Sequence, residues 1–206
     1  QYGIQAAGVD SDRITVRDSD IYANTQDGLS FAAGNDDLQV LGNRVQGNGS
    51  RGLEISGARA LLRGNEGFGN ANYGIYANYS GTLDNRIVVR ENIVRNNVSH
   101  GIVANSEAWV VGNDVFGQTN ANIYGVVGSG GNVLVEGNDI HGNYHGVSAG
   151  YGAVVRGNEI YGNSQQGVNV SAQSSAGGDI VGNRIYGNSI GIVDGGYAHI
   201  DNNVIY

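Results

Sequence analysis

A short phrase built on valine, glycine and asparagine returns along the whole chain: VLGNRVQGN from Val40, VVREN from Val88, VVGNDVFG from Val110, VEGNDIHGN from Val135, VRGNEIYGN from Val155 and IVGNRIYGN from Ile180. Its marker asparagines are Asn43, Asn65, Asn92, Asn113, Asn138, Asn158, Asn183 and Asn203, with Ser19 in the equivalent place of the first copy. Successive markers are 24, 22, 27, 21, 25, 20, 25 and 20 residues apart. A period of this length that varies in one place defines a solenoid whose coils carry insertions in one loop.

The pattern inside one copy says which solenoid. Each copy holds three short stretches in which apolar positions alternate, and alternation at period two is the mark of a strand. The first begins with Gly and an aliphatic residue, as at Gly52-Leu53, Gly74-Ile75 and Gly101-Ile102. The second ends three residues before the marker, as at Val40, Leu62 and Val110, and the third places Val45, Val94, Val115, Ile140, Ile160 or Ile185 two residues after it. Three strands per coil, each stacking on its counterparts, predict an all-β, right-handed parallel β-helix of about nine coils of 20–27 residues. At about 4.8 Å between neighbouring strands this is a rod roughly 40 Å long. Residues 1–206 read as one domain, expected to be a segment of a longer protein with uncapped ends, since the sequence has no methionine and no amphipathic cap.

The Gly-Asn pairs have a physical task at the corners. Glycine and asparagine accept the left-handed backbone that other residues resist, and stacked carboxamides can hydrogen-bond from coil to coil. A second column, Asn24, Asn48, Asn70, Asn97, Asn143, Asn163 and Asn188, marks the next corner. These asparagines are read as structural.

Composition narrows the class of function. The 36 glycines come without proline or a collagen-like period, and 40% of the residues are hydrophobic, so the chain has many turns and a packed core. Cysteine is absent, which excludes a disulfide framework, and no run of about 18 apolar residues could span a membrane. The net charge of −8 argues against nucleic acid as a partner and against an acidic polymer unless arginine or calcium offsets it locally.

The rhythm G-[IV]-x-[IV] followed by V-x-x-N-x-I-x-x-N, with YGIQ at Tyr2–Gln5, YAN at Tyr22–Asn24 and Asp27-Gly28, resembles the NosD-like and mannuronan C-5 epimerase-like branch of the pectate-lyase β-helix superfamily. The resemblance implies the fold and, through the epimerases, action on acidic polysaccharide. Those enzymes carry Tyr-Gly-Phe-Asp-Pro-His-Glu on the first strand. The nearest match is YGIYAN, where Tyr73 and Gly74 agree but Tyr76 stands at the aspartate position and Asn78 at the histidine position. With no proline in the chain the motif is absent, and no catalytic residue is carried over.

Four groups of residues remain as candidate sites. Arg51, Glu54, Tyr73, Tyr76 and His100 fall on successive coils at one edge of the first strand, a set able to hold a substrate carboxylate on Arg51 and move a proton through Tyr73 or His100. Asp10, Asp12, Asp36 and Asp37 occupy corresponding loops of adjacent coils, where calcium is the ion their carboxylates would take. On the second strand an outward stripe reads Leu61, Val88, Trp109, Leu134 and Val154, which suits a partner surface. On the third, Tyr161 and Tyr186 belong to an aromatic column that could stack on sugars.

Three functions compete. The favoured one is a non-catalytic structural or interaction segment of a secreted repeat protein, of the adhesin, stalk or filament type, at the cell surface or outside the cell. It would associate laterally, end to end, or with flanking domains. The second is a C-5 epimerase or lyase acting on an acidic polysaccharide, and the third a carbohydrate-binding module. No cofactor is expected beyond calcium.

Overall fold

The computed structural model describes residues 1–8, 11–79, 83–171 and 177–206. Among the described residues, twenty-seven short strands form three parallel sheets of nine strands each. Every third strand belongs to the same sheet, so the chain visits sheets 1, 2 and 3 in turn and climbs one strand spacing per circuit. The right-handed parallel β-helix with three strands per coil is therefore the fold.

Register is fixed by the period-two pattern. In sheet 1, Leu29, Leu53, Ile75, Ile102, Val126, Val147 and Val168 lie directly over one another, and all are fully enclosed. Sheet 2 supplies Val40, Leu62, Val89, Val110, Val135, Val155 and Ile180, and sheet 3 supplies Val45, Val94, Val115, Ile140, Ile160 and Ile185. A one-residue slip would turn each of these columns out to water, and burying a single such side chain is worth about 1.5–3 kcal/mol.

The corner between sheets 2 and 3 explains the marker. The residue before it has positive φ: Gly42, Gly64, Gly112, Gly137, Gly157 and Gly182 supply this cheaply, while Asp18, Glu91 and Asn202 adopt it with a side chain. Each marker carboxamide from Asn43 to Asn183 then spans three coils. Asn138, for example, donates through Nδ2 to Val110 O and to Asn158 Oδ1, both at 2.9 Å, while its own Oδ1 accepts the backbone N–H and Nδ2 of Asn113, again at 2.9 Å. The ladder is continuous from Asn43 to Asn203.

The second ladder is continuous too, and one rung differs from the asparagine column read in the sequence. Gln118 fills the slot between Asn97 and Asn143, accepting the Asn97 backbone N–H at 3.2 Å and donating to Asn143 Oδ1 at 3.2 Å.

Candidate functional site

The outward face of sheet 1 gathers all five residues of the first candidate set. The columns run Ser30, Glu54, Tyr76, Val103 and Val127 on one side, with Arg51, Tyr73, His100, Tyr124 and His145 beside them. Arg51, just before the strand Leu53–Ile55, forms an ion pair with Glu54, three residues on. Its guanidinium lies 4.5 Å from the Tyr76 ring centroid and 5.8 Å from that of Tyr73, a cation held over aromatic faces. Ser30 donates to the other oxygen of Glu54 at 3.1 Å. Buried Asp27 accepts the Arg51 backbone N–H at 2.7 Å.

Above this pair the rings continue from coil to coil. Centroids are 5.6 Å apart for Tyr73 and His100, 5.8 Å for His100 and Tyr124, and 4.6 Å for Tyr124 and His145. The Tyr124 amide donates to His100 Nδ1 at 2.9 Å, which places the proton of the neutral ring on Nε2. Burial lowers the proton affinity of His100 and of His145 below the ordinary imidazole value. Both rings are thereby held neutral at pH 7.

The polar groups of this face are engaged with one another. The Nδ1 lone pair of His100 is already spent on Tyr124, and the Arg51 guanidinium is paired with Glu54 through Nη1, while its Nε is enclosed without a hydrogen-bond partner. What reaches solvent is a row of half-buried groups: the rings of Tyr73, Tyr76, His100 and Tyr124, and the amides of Asn105 and Asn169, which bond the hydroxyls of Tyr76 and Tyr124 at 3.3 and 2.8 Å. A cleft of about 460 Å³ lined by Ser30, Glu54, Ser56, Asn78 and Tyr79 opens beside the strip.

The apolar stripe of sheet 2 is present in register, with Leu61, Val88, Trp109, Leu134 and Val154 paired in sequence. It is less bare than its sequence suggests, since only Trp109 is exposed, at 38%, and the Arg86 guanidinium lies 3.9 Å from its ring centroid. Trp109, Leu61 and Val88, with Arg59, Arg86 and Arg90, line a groove of about 620 Å³.

The acidic loops are organised by hydrogen bonds and an arginine. Asp12 accepts the Asp36 amide at 2.9 Å, and Asp36 accepts that of Ala58 at 2.8 Å. Arg59 reaches Asp37 at 2.5 and 3.1 Å, and this hydrogen bonding holds the Asp37 carboxyl below the usual range. Arg59 is thus the cation that pairs with Asp36 and Asp37, two of the four carboxylates expected to hold calcium. Asp10 lies outside the described residues. Among the described residues, the group of ligand atoms that does converge is Asp114, Asp139 and His141, all within 4.8 Å of one another. Sequence reading missed it because the three residues sit in two different columns that only the register brings side by side.

The aromatic column of sheet 3 corrects the expected role of Tyr161 and Tyr186. Their rings are parallel within 4° at 4.9 Å, Tyr161 also stacks on His141 at 4.9 Å, and Tyr186 on Tyr206 at 5.1 Å. Rings stacked along the rod have no face left for a sugar and present only edges and hydroxyls. Tyr186 donates its hydroxyl to Glu159 at 2.8 Å, which with burial pushes its pKa up to about 12.

Three stacked parallel sheets and two carboxamide ladders define a right-handed β-helix. The family model for the right handed beta helix region matches residues 1–132 and 119–205, and the chain belongs to that family. No curated protein sequence is detectably similar to it. Solved structures share the fold. The A-module of the mannuronan C-5 epimerase AlgE4 from Azotobacter vinelandii superposes with a TM-score of 0.77 at 20% identity, over 94% of this chain and 60% of that one. The periplasmic alginate epimerase AlgG gives 0.70 at 16% identity, over 90% and 50%. The pectate lyase Pel9A gives 0.67 at 16% identity, over 87% and 54%. The chain thus spans between half and three fifths of these structures.

Proposed function

We propose that this chain is a non-catalytic interaction segment of an extracellular or cell-surface β-helix protein, and that the outward face of its first sheet recognises a neutral polysaccharide. The Arg51–Glu54 pair carries the reading, because Glu54 neutralises the charge that Arg51 brings to the strip. A polyuronate needs free guanidinium or ammonium groups, and the neutral imidazoles of His100 and His145 supply none. Hydroxyl, amide and imidazole edges match the hydroxyls of an uncharged glycan instead. One coil rises by about 4.8 Å, near the length of one pyranose in a 1→4-linked chain, so a glycan along the rod would meet a fresh pair of edges at every sugar. Support also comes from the names of the similar structures, whose substrates, mannuronan, alginate and pectate, are polysaccharides. The net charge of −8 disfavours those polyanions here.

The alternative, an epimerase or lyase on acidic polysaccharide, requires Arg51 to leave Glu54 for a uronate carboxylate and a base other than His100 to take the C-5 proton. Incubating the protein with several polyuronates, with and without calcium, tests it. We expect neither a change of configuration at C-5 nor unsaturated ends absorbing in the ultraviolet, and either product overturns the non-catalytic reading. The groove beside Trp109 supports a second contact, lateral association with another copy or a flanking domain, because an exposed tryptophan in a groove of this size is a suitable anchor.

A further inference from the structure

We propose that Asp114, Asp139 and His141 bind a divalent transition-metal ion on the outer face of the third sheet. The strands Asp114–Phe116 and Asp139–His141 pair in parallel, which sets Asp114 directly beneath Asp139 and Phe116 beneath His141. Period-two geometry turns all four outward, and a ligand atom from each of the two aspartates and the histidine lies within 4.8 Å of the others. His141 Nε2 is 3.2 Å from Asp114 Oδ1.

The charge pattern of this sheet singles the place out. Elsewhere along the outward columns each acid meets an arginine: Asp20 with Arg44 at 3.6 Å, Glu66 with Arg44 at 3.5 Å and with Arg95 at 2.7 Å, and Glu159 with Arg184 at 3.2 Å. Asp114 and Asp139 break that alternation. They stack on each other, with Ile93 in the position below Asp114, and like charges directly opposite in a sheet repel. Asp139 Oδ1 is enclosed without a hydrogen-bond partner. An ion of charge +2 between the two carboxylates would replace repulsion by attraction on both sides.

The donor set favours one class of ion. One imidazole nitrogen with two carboxylates suits zinc, cobalt, nickel or manganese, whereas calcium and magnesium prefer oxygen donors alone. The imidazole is also held in place. Phe116 stacks on it from one side at 5.0 Å and Tyr161 from the other at 4.9 Å, each within 10° of parallel. Such restraint orients the ring nitrogen before the ion arrives. The site joins two successive coils, so an ion there would staple the rod, and it stands apart from the first-sheet strip.

The test is calorimetric titration of the whole chain with zinc chloride, repeated with calcium chloride, and with His141→Ala and Asp139→Asn whose folding is checked by circular dichroism. We expect saturable binding of one zinc ion per chain, no comparable heat from calcium, and affinity at least tenfold weaker in each variant. Cobalt(II) offers a second readout that does not depend on the variants: paramagnetic broadening centred on the signals of Asp114, Phe116, Asp139, His141 and Tyr161. The proposal is overturned by absence of saturable zinc binding, by equal zinc affinity in both variants, or by cobalt broadening centred elsewhere on the rod.

Discussion

Asn138 and Asn158 are joined by two hydrogen bonds to one oxygen, the backbone N–H and the Nδ2 of Asn138 both reaching Asn158 Oδ1 at 2.9 Å. Both side chains are enclosed, at 2% exposure, so water cannot replace what a substitution removes. Asn158→Ala or Asn138→Ala should each cost about 1–3 kcal/mol, the penalty of leaving buried polar groups unpaired. Thermal or urea unfolding checks this, and unchanged midpoints in both would show that the ladder does not hold the corner.

Gln118 is the imperfect rung of the second ladder, its side chain bonding at 3.2–3.4 Å where the side chains and amide of the flanking Asn97 and Asn143 donate at 3.0–3.1 Å. Gln118→Asn should restore the shorter spacing and stabilise the rod by about 0.5 kcal/mol, the lower end for one improved hydrogen bond. A lower unfolding midpoint would mean that the extra methylene fills space which asparagine leaves empty.

His100 and His145 make stability depend on pH. Burial depresses their folded pKa values below the ordinary value of about 6.5, so in acid the unfolded chain binds more protons than the folded one. Stability is therefore full above about pH 6.5 and declines as pH falls below it. Melting temperatures measured between pH 7.5 and 5 should fall, and His100→Gln should flatten the slope. An unaltered slope in that variant would show that His100 does not contribute to it.

Trp109→Asp probes the second sheet. Its side chain is outside the core, so the far-ultraviolet circular dichroism should be unchanged, while any self-association seen by sedimentation should be abolished. Unfolding of this variant would mean that the contact with Arg86 is part of the stability of the coil.

The fold could be read from the sequence because every level of it is periodic. The marker spacing gave the coil, the alternation in stretches such as Leu53–Ile55 gave the strand faces, and the corner asparagines gave the ladders. Gln118 was missed because it breaks the residue type of its column while keeping its position. The columns of the first-sheet strip were also legible, since counting from each glycine places Arg51, Glu54, Tyr73, Tyr76 and His100 together. Their chemistry was not. Whether Arg51 serves a ligand or Glu54, and whether a ring offers its face or its edge, depends on side-chain conformation, which spacing does not encode. Tyr161 and Tyr186 show this most plainly: the sequence gives a column of aromatic rings, and only the 4.9 Å parallel stack shows that each ring covers the next.

The central claim is tested most directly by measuring the affinity of the intact chain for soluble neutral glucans, mannans and galactans beside polyuronates, at low and high salt, with Tyr124→Ala as the control for the first-sheet strip. The account predicts binding to at least one neutral glycan that salt leaves unchanged and that Tyr124→Ala weakens by about tenfold, the loss expected for about 1.4 kcal/mol of contact. Binding confined to polyuronates and abolished by salt, or neutral-glycan binding indifferent to Tyr124→Ala, would contradict it.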